Sequence, residues 1–166
     1  MRHATRSADV RYMNTKSKEY GFPVVVDWEA RRTVHAAIAG KEPLAVATPS
    51  EFHQGADPSV WSPEDLLTSA AATCLAVTIA GAAEREELSL GELSVSATGI
   101  VGRRVDGRFG FTRIEQVVRM AVAPEDEHRA RMLVERAEAS CLVAVSLDVE
   151  IETTLEFSWS REPAAA

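Results

Sequence analysis

The chain has 166 residues, 46% of them apolar and 26% charged, and a formal net charge of −7. That length suits one domain with a real core, and the acidic balance argues against nucleic acid or an anionic membrane as the main partner. The longest apolar run, Ala70 to Ala83, is too short to span a bilayer, the basic N-terminus lacks the apolar segment of a secretory signal, and two cysteines make no secreted disulfide framework, so the expected location is cytoplasmic.

Residues 1–22 are polar and aperiodic and read as a flexible arm. PVVVDWE (Pro23 to Glu29), TVHAAIA (Thr33 to Ala39) and LAVAT (Leu44 to Thr48) read as three antiparallel strands. Ala30-Arg31-Arg32 and Gly40 to Pro43 are the turns between them. A loop follows to Val60. At Ser62 a helix starts: Ser62 can cap it, Pro63 suits the first position, and Glu64 and Asp65 suit the positive end of the dipole. The helix is small and apolar on nearly all sides until Glu84-Arg85-Glu86-Glu87, the composition of a buried helix.

LSVSATGIVG and FGFTRIEQVVRMAV then form a hairpin around Asp106-Gly107. A second helix starts near Pro124 and carries Ala130, Val134, Ala137, Cys141 and Val145 on one stripe. The last strand alternates cleanly, with Val149, Ile151, Thr153, Leu155, Phe157 and Trp159 on one face. Residues 23–160 thus make one α+β domain ordered βββ-α-ββ-α-β, with antiparallel sheet, and 161–166 are a short tail.

Cys74 and Cys141 are the only cysteines. Free cysteine is among the most buried residue types, so each reads first as a small hydrophobe. Both also lie on the apolar stripes of helices that look central, and packing those helices together would make a redox pair. A working thiol must ionise, which a nearby arginine braced by a carboxylate favours. Arg31 and Arg32 in the first turn and Glu64 at the helix start are the candidates, although turn arginines are commonly just solvated. Glu64 and Cys74 are ten residues apart, so a straight helix separates them by about 15 Å. Either the helix breaks or a second subunit supplies the glutamate. The four histidines are scattered, with no HExxH and no CxxC, so no metal site is expected. No phosphate loop, dinucleotide fingerprint or nucleophile elbow is present, and no cofactor is expected.

SPEDLLTSAAATC, with Pro-Glu at a helix start and a cysteine ten residues after the glutamate, resembles the OsmC/Ohr family. So does the second cysteine in AEASCLVAVS, followed by the strand VEIETTLEF. The likeness runs from about Trp28 to Phe157. It implies an intertwined homodimer with shared active sites, sheets wrapped around two central cysteine-bearing helices, and thiol-dependent reduction of organic hydroperoxides in oxidative stress defence. By resemblance, Cys74 is the peroxidatic cysteine, Cys141 the resolving one, and Glu64 the brace for an arginine that is Arg31 or Arg32. The implied reductant is a dithiol, such as a lipoylated protein. Two positions depart from the family's habit. Leu142 stands where proline commonly follows the second cysteine, and Leu75 where an aromatic often follows the first. The Leu142 departure favours the alternative, a small-molecule binding or stress protein on the same scaffold without peroxidase activity.

Overall fold

The computed structural model describes residues 19–159, so most of the expected N-terminal arm and the whole tail lie outside the described residues. Strands β1 (Val25–Ala30), β2 (Thr33–Ala37) and β3 (Leu44–Ala47) form one antiparallel sheet in that order. Helix α1 (Pro63–Arg85) follows, then β4 (Glu92–Arg103) and β5 (Phe109–Val122). After a 3₁₀ turn come α2 (Glu127–Ser140), a five-residue α3 (Leu142–Ser146) and β6 (Glu150–Trp159). The order agrees with the α+β expectation, with two differences. The expected second helix is broken at Cys141 into α2 and α3. And β6 pairs parallel to β5, so the second sheet, ordered β4-β5-β6, is mixed and not antiparallel.

Local chemistry accounts for the element ends. Ser62 Oγ accepts the Asp65 N–H at 3.0 Å and Asp65 Oδ2 accepts the Ser62 N–H at 2.8 Å, a reciprocal capping box followed by Pro63. Gly107 takes φ +82° at the tip of the β4–β5 hairpin, where a side chain would be strained. At Gly99 of β4 an added Cβ would collide with Thr68 of α1 and with the Phe111 ring, so a bare backbone lets the helix lie close on the sheet.

The core lies between α1, α2 and the inner face of the second sheet. Leu75, Ile79, Leu133, Val134, Val118, Met120 and Val122 form one cluster. Its burial is the main force holding the layers together. The far end of α1 is tied to α2 by a bidentate ion pair, with Arg136 donating to both Glu86 carboxylate oxygens at 2.6 and 2.8 Å.

Two expectations about α1 change. At 23 residues it is long and apolar enough, by length and composition, to cross a membrane, whereas the run Ala70 to Ala83 alone is not. Here it is the core helix of the sheet-and-helix layer. It is also not buried on all sides: Ala71, Leu75, Ile79, Ala82 and Ala83 face inward, while Val77 and Thr73 face out. The first sheet is barer still, since β1 is exposed along its whole length.

Candidate functional site

The two cysteines meet. Cys74 sits half-buried in the middle of α1, and Cys141 is 1% exposed at the break between α2 and α3. The break has a defined geometry. Cys141 is extended (φ −66°, ψ 110°), so the chain turns there and starts α3 afresh. That aims the first N–H groups of α3 at the Cys74 sulfur. Burial pushes the Cys74 thiol up, but the N–H of Val143, the Cys141 thiol, the Thr78 hydroxyl and the N–H of Leu142 outweigh it, and the thiol lies below its ordinary value. Cys141 moves the opposite way. Burial raises it, and the facing Cys74 sulfur adds to the rise, against the N–H groups of Ala144 and Val143.

The two shifts are opposed, so ionisation of the pair is favoured at Cys74 over Cys141. A thiolate is the nucleophilic form. Both are free thiols.

Glu64 is not beside Cys74. Helix α1 runs unbroken from Pro63 to Arg85, which rules out a broken helix as the way to join them. Glu64 lines a different cavity of about 610 Å³ with Phe52, Trp61, Thr68, Val101 and Phe111. Its Oε2 is buried without a hydrogen-bond partner among the described residues. A carboxylate oxygen removed from water and left unpaired is costly, which makes this a site prepared for a donor.

Arg31 and Arg32 are exposed in the β1–β2 turn, and neither forms an ion pair among the described residues. Arg31 has φ +51°, an uncommon value for a residue with a side chain, and its carbonyl accepts the Trp28 Nε1–H at 3.1 Å. No arginine among the described residues is among the groups that favour the Cys74 thiolate. One chain therefore joins Cys74 to Cys141 but not to Glu64, Arg31 or Arg32. Sequence reasoning missed the backbone donors of Val143 and Leu142, because nothing in EASCLVAVS marks a helix break. Leu142 does matter in one respect: where the family commonly has proline, this chain keeps an N–H.

The family model for OsmC-like protein matches residues 56–156, which cover α1, both cysteines, β4, β5 and most of β6. The chain belongs to the OsmC-like protein family. It is 26% identical over 145 residues to an uncharacterized Bacillus subtilis protein, YmaD, spanning 84% of this chain and 95% of that one. The fold is similar to an OsmC-like protein of unknown function from Vibrio cholerae, with a TM-score of 0.77 at 14% identity over 83% of this chain and all of that one. It is also similar to an organic hydroperoxide resistance protein from Elizabethkingia anophelis, with a TM-score of 0.72 at 19% identity over 86% of this chain and 99% of that one.

Proposed function

We propose that the protein is a cysteine-based peroxidase that reduces organic hydroperoxides in oxidative stress defence. The observation that carries this is the meeting of the two thiols at the break between α2 and α3, where the backbone N–H groups of α3 favour the charged form of Cys74. The Cys74 thiolate attacks the distal oxygen of ROOH. The O–O bond breaks, ROH leaves after taking up a proton, and Cys74 becomes a sulfenic acid. The Cys141 thiol then attacks that sulfur, water leaves, and a disulfide closes. A dithiol, such as a lipoylated protein, returns both thiols by exchange. A reducing compartment such as the cytoplasm suits a pair that must start as free thiols.

The working unit on this reading is a homodimer with shared sites. Three features support it. Among the described residues Glu64 Oε2 lacks a partner and Arg31 and Arg32 lack a carboxylate, and β1 displays Val25, Val26 and Trp28 to solvent. A second copy laid on this sheet covers the apolar strand and carries an arginine–glutamate pair to Cys74, where the guanidinium lowers the thiol further and holds the peroxide oxygens.

The test is peptide mapping after one equivalent of cumene hydroperoxide. The expected product is a Cys74–Cys141 disulfide in the wild type, and a trappable Cys74 sulfenic acid in Cys141→Ser. Cys74→Ser should consume no peroxide. Two untouched thiols in the wild type would retire this reading in favour of a binding protein on the same scaffold.

A further inference from the structure

A second cavity, of about 310 Å³, lies apart from the Glu64 cavity. Cys141 lines it and Cys74 does not. Ala71, Leu75, Ala144 and Ile151 give it apolar walls. Its polar groups are the Cys141 thiol, Gln116, Thr153 and the Glu138 carboxylate.

Gln116 is the informative one. It stands in the inward row of β5 between Ile114 and Val118, where every other buried side chain is apolar, and is 3% exposed. Its side chain borders the open space of the cavity. A polar amide on an otherwise apolar strand face, opening on a cavity, can pair with whatever enters that space. An apolar cleft with one convergent amide and a thiol has the make-up of a small-molecule site.

We propose that this cavity is the reductant port: a small neutral or cationic dithiol enters it and attacks the Cys74–Cys141 disulfide at Cys141. The proposal rests on the peroxidase reading, in which the disulfide forms. One thiolate of the reductant bonds to the Cys141 sulfur, the Cys74–Cys141 bond breaks, and the electron pair leaves on Cys74. The second thiol of the reductant then closes its own disulfide and releases Cys141, which takes up a proton. Two electrons and one proton pass from the dithiol to the pair, the reductant's other proton having been given up to solvent when its attacking thiol ionised, and Cys74 is left as the thiolate.

The geometry suits this direction. Substitution at sulfur needs the attacker opposite the leaving sulfur, and the cavity meets Cys141 without meeting Cys74. The chemistry agrees, because the thiol that ionises more easily is the better leaving group, and here that is Cys74. The Glu138 carboxylate at the wall disfavours anionic thiols, and the Gln116 amide can pair with an amide or hydroxyl of the reductant.

The test times the two half-reactions separately on the full chain. The disulfide is made with diamide, independently of any peroxide, and its reduction by dithiothreitol is followed by mass spectrometry. Oxidation of the reduced protein by cumene hydroperoxide is timed in parallel. Val149→Trp narrows the cavity from the loop before β6. It should slow reduction about tenfold and leave oxidation within about twofold. Glu138→Gln should lower the preference for cysteamine over mercaptoethanesulfonate by about threefold or more. That ratio decides alone where Val149→Trp does not fold. Unchanged reduction in both variants overturns the port, and so does slowing of both half-reactions alike, which means one shared entrance. If cumene hydroperoxide leaves the thiols untouched while the diamide-made disulfide behaves as described, the peroxidase reading falls and the port stands. A pair that neither oxidant joins overturns both.

Discussion

In the sheet of β4, β5 and β6, Ile114, Val118 and Val122 are wholly buried under α1 and α2. In the sheet of β1, β2 and β3, Val26 is 57% and Trp28 72% exposed. The residue types are alike, so composition does not explain the difference. The second sheet has helices of its own chain to cover it, and β1 of the first is left bare. Apolar strands left bare cost stability and solubility, and they persist in proteins that cover them with a partner. The same division runs along α1. Its inward face completes the core and its middle completes the cysteine pair, but Glu64 at its start is left with an unanswered oxygen.

The largest effects should come from charging one sheet and hollowing the other. Val26→Asp should leave the fold intact by circular dichroism, convert a dimer to a monomer by sedimentation, and lower hydroperoxide turnover by about a hundredfold or more. Ile114→Ala should keep assembly but lower the unfolding free energy by about 2–5 kcal/mol in urea titration. If Val26→Asp stays dimeric and active, the bare sheet is not the interface and the contrast between the sheets has another cause.

Next in size is the unpaired carboxylate. Glu64→Gln should lower kcat/KM by about ten- to a hundredfold, the scale of losing a charge that orients an arginine. Arg31→Ala and Arg32→Ala then sort themselves: the arginine whose loss is not additive with Glu64→Gln is the partner. Additive losses for both would separate Glu64 from the arginines altogether.

Much of the fold was readable because it is written locally. Ser62-Pro63 announces the start of α1 through a cap and a missing N–H, and Asp106-Gly107 announces the hairpin. The alternation from Ile151 to Phe157 gives β6 its inner face. The direction of β6 was missed although its signal was present: β5 and β6 are joined through α2, the kind of long helical connection a parallel pair requires. The break at Cys141 had no such signal. Ala130, Val134, Ala137, Cys141 and Val145 keep helical spacing straight through it, and no glycine or proline interrupts them. Only packing on α1 sets that corner, and with it the donors to Cys74. Cys74, Cys141 and Glu64 could be named from their motif. On the proposed dimer reading the arginine that joins them comes from a second copy, and both Arg31 and Arg32 are exposed in this one.

A smaller effect follows from pH. Cys74 has a lowered thiol in the folded chain, so its ionisation contributes stability that is full above the unfolded value, about 8.5, and is lost as pH falls through the folded value. Cys141 is raised, so its contribution is full below the unfolded value and lost as pH rises through the folded one. Alkylation by iodoacetamide, mapped by peptide from pH 5 to 10, should therefore modify Cys74 first at every pH, with a midpoint below the ordinary value. Equal rates for the two peptides would remove the asymmetry that assigns the roles.

The smallest effect isolates the backbone. Leu142→Pro removes one N–H that faces Cys74 and changes little else. Leu142 is the first residue of α3, where proline fits, and Cys141 before it is already extended, as a residue preceding proline must be. The hydrogen bond from the Val145 N–H to the Cys141 carbonyl stays in place. The stronger donor, the N–H of Val143, is also kept. The Cys74 midpoint should therefore rise slightly, and its alkylation rate near neutral pH should fall about twofold. A larger fall would mean that the corner itself has moved. No change at all would mean that Leu142 does not reach the sulfur, leaving the N–H of Val143, the Thr78 hydroxyl and the Cys141 thiol to hold the charge.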